Sequence, residues 1–299
     1  MGRSKIVYAT TLVAALSAGL GWVLSAPRPL PAAALPSYTP DIANGEKLYN
    51  AAGCYSCHKA AANAANQALP SGGRPLKTPI GVLFPPNLTP DPETGLGGWT
   101  DIDFVNAIQR GLSPQGTHYI PALPYTSYAH MRVEDVLDIK AYLATLEPVR
   151  SRTESAKIPL PIFIRRGLGL WKWIGLDTSP FVPDPAQSES WNRGAYLSNG
   201  PGHCGECHTP RTLFMTTDNS RFYEGGSHPE GDGKVPSLRD LIGRGRYKDV
   251  ADLASALEFG EVMGYDKMSS GGMGAVQTNL SKLPKDDIAA IAEYLANLK

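Results

Sequence analysis

Five residues, CYSCH at 54–58, return as CGECH at 204–208, 150 positions later. The two copies use all four cysteines of the chain: Cys54, Cys57, Cys204 and Cys207. None is left over for a structural disulfide or a free thiol. Zinc sites built from CxxC bring a second pair about 15–20 residues away, whereas Cys57 and Cys204 lie 147 positions apart. A redox disulfide within each CxxC would leave the trailing His58 and His208 without a role. The pattern C-x-x-C-H is instead the attachment signature of c-type haem. The two cysteine sulfurs add to the vinyl groups of the porphyrin, and the adjacent histidine ligates the iron. Two covalently bound haems c are therefore expected, on Cys54, Cys57 and His58 and on Cys204, Cys207 and His208.

The recurrence extends well beyond the motif. DFVNAIQRG at 103–111 is matched by DLASALEFG at 252–260, each a short helix stopped by a glycine. Thr100 and Asp103 give the first of these a capping-box start. VEDVLDIKAYLATL at 133–146 is matched by KDDIAAIAEYLANL at 285–298. Apolar residues fall at 136, 139, 143 and 146, and again at 288, 291, 295 and 298, one stripe of an amphipathic helix. Pro284 suits the first turn of the second such helix. Shifts of 149 to 152 at three places imply two copies of one domain, bounded at about 36–150 and 186–299.

Residues 1–30 read as a signal or membrane anchor. Arg3 and Lys5 precede an uncharged run over 6–25, long enough to cross a bilayer. A cleaved signal has a shorter apolar core and small residues before the cut, and Leu24 breaks that rule. Trp22 stands where an interfacial aromatic would. An uncleaved anchor with its N-terminus in the cytoplasm places the rest of the chain outside, in the periplasm of a Gram-negative cell. Residues 151–185 form an apolar linker. Its stretch 158–185 carries Trp171 and Trp173 and is interrupted by glycine and proline. It packs along the interface between the domains, or it touches the membrane or a partner subunit.

Composition narrows the function. The formal net charge is zero, and no basic stripe or acidic tail points to nucleic acid. Thirty-one glycines and 26 prolines imply long loops wrapped around a ligand rather than a sheet-dominated core. No nucleophile–base constellation or phosphate loop is present.

Four stretches carry a resemblance: TPIGVLFPPNLTPDPETGLGGWT at 78–100, ALPYTSYAHM at 122–131, WNRGAYLSNGPGHCGECHTPR at 191–211, and the terminal helix. Over roughly 40–299 the chain resembles the class I c-type cytochromes. It is most similar to the membrane-anchored multi-haem cytochrome c subunits of periplasmic alcohol, aldehyde and sugar-acid dehydrogenases. Some relatives carry three haems, and this chain has motifs for two. The resemblance implies a mainly α fold, with two tandem class I cytochrome c haem domains after an N-terminal transmembrane helix.

A sixth ligand is expected for each iron, since a methionine opposite the histidine raises the potential of a carrier haem. Between His58 and the linker the only methionine is Met131, where the family pattern also places one. His118 and His130 are its rivals. In the second domain Met263, Met268 and Met273 compete. Met273, in GGMGAVQ, fits the family pattern best, and Met268 is the alternative. The methionine cluster could also hold copper(I), which suits thioethers. Asp103 and Glu206 read as capping or surface groups.

Two hypotheses follow. In the first, the chain is an electron carrier and not an enzyme. It takes electrons from periplasmic dehydrogenase subunits and passes them to quinone, a soluble cytochrome or an oxidase at the cytoplasmic membrane. In the second it is a dihaem peroxidase, which needs one iron with an open sixth position.

Overall fold

The computed structural model of the chain describes residues 2–62, 67–78, 81–158, 162–228, 233–262, 266–267 and 272–299. Helix α1, Gly2–Leu24, holds the uncharged run. Its stretch Lys5–Leu24 has a mean hydropathy of 1.7 and none of it is buried in the protein. Twenty residues at about 1.5 Å each give about 30 Å, the depth of a bilayer core.

The first half has five helices: α2 at Ile42–Ala51, α3 at Cys54–His58, α4 at Asp101–Arg110, α5 at Tyr125–Tyr128 and α6 at Val133–Ala144. A connecting helix, α7, spans Ile162–Gly175. The second half follows the same order: α8 at Glu189–Asn199, α9 at Cys204–His208, α10 at Val250–Phe259, α11 at Met273–Leu280 and α12 at Lys285–Ala296. Among the described residues, strand is confined to three two-stranded antiparallel pairs: β1–β2 (Leu76–Thr78, Gly81–Leu83), β3–β4 (Gly226–Ser227, Lys234–Val235) and β5–β6 (Glu261–Val262, Asp266–Lys267). The fold is mainly helical, as expected.

Local chemistry explains the helix ends. Asp41 caps α2 by accepting from the Ala43 and Asn44 amides. Thr100 and Asp103 form the expected capping box on α4. Asp249 does the same service for α10, accepting from the Asp252 amide at 2.9 Å. Gly111 and Gly260 end α4 and α10 in the left-handed region, with φ of 57° and 76°. Pro284 lies one residue before α12 rather than in its first turn, with ψ at 145°.

In each half the helix before the motif crosses the terminal helix at a glycine. A Cβ on Gly45 would sit 2.0 Å from the Asp138 carbonyl oxygen, and one on Gly194 would sit 1.9 Å from that of Ala290. Tyr142 and Tyr294 close the same side of each crossing. The neighbouring polar pairs correspond too. Asn44 donates to Asp135 at 2.9 Å, and Arg193 clamps Asp287 at 2.7 and 3.0 Å. Around the crossings lies a continuous apolar core that includes Leu48, Val105, Val136, Leu197, Leu253 and Ile288.

The apolar linker contains more order than its glycines suggest. Gly169 approaches the Ser25 backbone and Gly175 packs on Trp171 and Thr216, so α7 forms where side chains would collide. Trp171 bonds the Phe214 carbonyl at 2.8 Å and meets the Tyr125 ring edge-on. It is thus an internal connector between the halves. Trp173 is more than half exposed.

Candidate functional site: two attachment helices

Each CxxCH forms a one-turn helix entered through a left-handed residue, Gly53 (φ 60°) before α3 and His203 (φ 40°) before α9. That turn lets the chain leave α2 or α8 and present the cysteines and histidine on a new axis. A histidine at positive φ is unusual. His203 is held by its ring contact with Tyr128 and by a bond to the Ala52 carbonyl at 3.3 Å, both in the other half.

The two histidines are fixed alike. His58 Nδ1 donates to the Pro86 carbonyl and His208 Nδ1 to the Pro236 carbonyl, each at 2.8 Å and each across 28 residues. A carbonyl only accepts, so the proton is on Nδ1 and Nε2 keeps its lone pair. Burial pushes both imidazoles below the ordinary histidine range, against the proline bonds that raise them. Both rings are neutral, with Nε2 free to accept. None of the four cysteines is in a disulfide. Burial pushes the Cys54 and Cys204 thiols up to about 12. Thiol oxidoreductases need the opposite, a lowered thiol. These residues fit haem c: thioethers from Cys54 and Cys57 with Nε2 of His58, and from Cys204 and Cys207 with Nε2 of His208. Pro86 and Pro236 were not foreseen as partners. The signal was there, as PPNL at 85–88 and VPSL at 235–238 repeat at the same shift as the motif.

The methionines are placed differently. Met131 is 2% exposed, just before α6, with its carbonyl held by Gln109 at 2.7 Å. Its Cγ lies 3.4 Å from where a Cβ on Gly200 would stand, so it packs on the second half. Leu283, also buried, occupies the corresponding register before α12. Met273 opens α11 and is partly buried against the core. Met263 and Met268 lie outside the described residues. The rival histidines are turned elsewhere: His118 Nε2 to the Ser25 carbonyl at 3.0 Å, and His130 Nδ1 to that of Ser179 at 2.7 Å.

Each attachment helix is bonded to the other half, and reciprocally so. Thr126 and Ser127, in α5, donate to Glu206 in α9. Asn279 in α11 donates to Ser56 in α3 at 2.7 Å. Ser127 and Asn279 are 152 positions apart and Ser56 and Glu206 are 150 apart, so the contacts are counterparts. Glu206 is therefore not the surface group its charge suggested. It is largely buried and salt-bridged to Arg211 at 2.7 Å. Burial opposes its ionisation, but Arg211 and the Thr126 and Ser127 hydroxyls outweigh it and hold the carboxyl below the usual range.

The pattern of the cytochrome c family matches residues 42–147. A diheme cytochrome c-type protein of Cereibacter sphaeroides is 41% identical over 259 residues, covering 86% of each chain. The cytochrome subunit of the fructose dehydrogenase of Gluconobacter japonicus is 33% identical over 275 residues, 90% of this chain. The cytochrome c subunit of the gluconate 2-dehydrogenase of Pantoea cypripedii is 35% identical over 268 residues, 86% of this chain. The chain spans 54% and 59% of those two proteins respectively. The family pattern falls in the first half, while the three alignments take in at least 86% of the chain and so reach into the second.

Proposed function

The chain belongs to the cytochrome c family, and on that basis we propose that it relays single electrons from a periplasmic dehydrogenase into the respiratory chain. The observation that carries this reading is the duplicated attachment geometry, with two CxxCH helices and two Nδ1–proline bonds. Bound haem c supplies a one-electron iron couple, and its potential is set by ligands, burial and nearby charge. The residues do the holding. Cys54 and Cys57 tether one haem in a domain at 36–150, and Cys204 and Cys207 the other in a domain at 186–299, with 151–185 between them. His58 and His208 are the near-side ligands, oriented by Pro86 and Pro236. Met131 and Met273 would supply the second ligand to each iron. With a histidine and a methionine held by each haem, neither would offer a substrate site, and the chain would carry electrons without catalysing a reaction.

The reciprocal contacts of Glu206 and Ser56 fix each attachment helix to the other half, which suits a relay between two haems. Helix α1 anchors the protein in the cytoplasmic membrane and keeps both haem domains at its periplasmic face. The names of the relatives support a dehydrogenase as the donor. Quinone, a soluble cytochrome or an oxidase takes the electrons onward.

The test is purification from native membranes with the associated subunits identified by mass. The chain is expected to copurify with a dehydrogenase subunit and to be reduced when that enzyme's substrate is added. If the isolated chain instead turns over a small substrate with an artificial acceptor and no partner, the carrier reading is lost.

A further inference from the structure

Where α1 ends, α7 grips it from the side. Arg166 donates to Ser25 Oγ and to the Trp22 carbonyl, both at 3.0 Å, with its guanidinium 4.3 Å from the centre of the Trp22 ring. Trp173 Nε1 donates to the Leu24 carbonyl at 3.0 Å. Gly169 makes this approach possible, since a Cβ there would be 2.2 Å from the Ser25 carbonyl oxygen. The outer side of α7 leaves Leu170, Trp173 and Ile174 exposed, beside a helix that is itself exposed along its length.

A cavity of about 220 Å³ lies at this junction. Arg28, Arg110, His118 and Lys172 line it, with Trp173 and Leu176 on its apolar side, and no acidic residue among those described does. Arg28 sits at its exposed rim, 3.8 Å over the Trp173 ring. His118 is 4% exposed. Its Nε2–H donates to the Ser25 carbonyl, so its buried Nδ1 is an acceptor that donates only once the ring is protonated, while the Nε–H of Arg110 is buried with no partner among the described residues. Lys172 Nζ donates to the carbonyls of Arg110 and Gly111, at 2.5 and 2.9 Å, and lies 4.7 Å from the centre of the Tyr125 ring, and burial holds it down to about 7. Basic groups gathered out of water without a counter-charge are unfavourable unless an anion joins them.

We propose that this cavity binds the phosphate of an anionic membrane lipid in the outer leaflet, with α7 lying on the membrane surface beside the anchor. The proposal rests on reading α1 as that anchor. A free phosphate would satisfy the same charges. The exposed Leu170, Trp173 and Ile174 next to the cavity favour a phosphate that arrives with acyl chains attached.

The test uses the full-length holoprotein in detergent micelles, examined by native mass spectrometry. Phosphatidylglycerol, diacylglycerol of the same chains, and inorganic phosphate are added separately. One phosphatidylglycerol should stay on each chain, and diacylglycerol should not. The Arg110→Gln/Lys172→Gln variant should retain about tenfold less or lower still, with two haems still attached. Should that variant fail to fold, Arg28→Gln at the rim decides, with an expected loss of about two- to fivefold. Equal retention by wild type and variants overturns the site. Binding of inorganic phosphate at the same concentrations, displacing the lipid, overturns the lipid as the source. The same spectra weigh the chain. A chain lacking residues 1–25 fails the anchor reading, whereas an intact chain that holds no lipid fails this one.

Discussion

Gly45 and Gly194 meet the same obstacle, a carbonyl of the terminal helix about 2 Å from where a side chain would begin. Ser56 and Glu206, also counterparts, share a place and little else. Ser56 makes one neutral bond to Asn279, and Glu206 makes charge-assisted bonds to Thr126, Ser127 and Arg211. The methionines depart further: Met131 stands in the register of Leu283, and Met273 lies ten residues earlier, at the start of α11. The two halves thus repeat where backbones touch and where the histidines are fixed. They differ in where the methionines stand and where side chains reach the other half. Backbone contact leaves no room for variation, while side chains that meet no backbone are free to differ between the halves.

The strongest challenge to the equivalence of the halves is to remove one thioether from each. Cys57→Ala and Cys207→Ala should each lower the number of doubly linked haems from two to one, read from the mass and haem spectrum of the denatured chain. If one of them costs nothing, only one motif is used.

Removing the proposed methionine ligands should separate the halves. Met131→Ala should cost about 2–5 kcal/mol of stability, because it also empties a fully buried site against Gly200. It should also remove about half of the thioether charge-transfer absorption and lower one potential. Met273→Ala should remove the other half at a smaller cost in denaturant midpoint. Full absorption in Met131→Ala would place the first iron's ligand elsewhere.

The reciprocal contact should prove lopsided. Glu206→Gln should cost about 1.5–3 kcal/mol and Asn279→Ala about 0.5–1.5, measured by chemical denaturation. The pH dependence has a definite sign. The Glu206 carboxyl is held below its ordinary value, so its contribution is complete above that value and is lost as pH falls through the lowered one. Glu206→Gln should lack that acid limb. Equal costs on the two sides would contradict the asymmetry.

The smallest difference is expected at the crossings. Gly45→Ala and Gly194→Ala should each destabilise by about 1–3 kcal/mol, and by similar amounts. A much cheaper substitution in one half would show that its helices can slide apart.

How much of this was legible in the sequence varied with range. The attachment helices, α4 and α10 with their glycine stops, and α6 and α12 with their apolar stripes follow from local pattern. The Pro86 and Pro236 bonds each reach across 28 positions of the chain, and nothing local dictates them. Glu206 read as a surface group because a charge between two cysteines has no visible partner until Thr126 and Ser127 arrive from the other half. Helix α7 was hidden by Gly167, Gly169 and Gly175. Each glycine costs a helix about 1 kcal/mol against alanine. Contacts at Ser25, Trp171 and Thr216 override that cost.

The central claim is that both irons are closed, six-coordinate carriers. The electron paramagnetic resonance spectrum of the fully oxidised holoprotein at neutral pH tests it most directly. Two low-spin ferric signals of equal weight are predicted, one for each half. A high-spin signal accounting for one haem per chain would mean an open iron, and with it an enzyme rather than a relay.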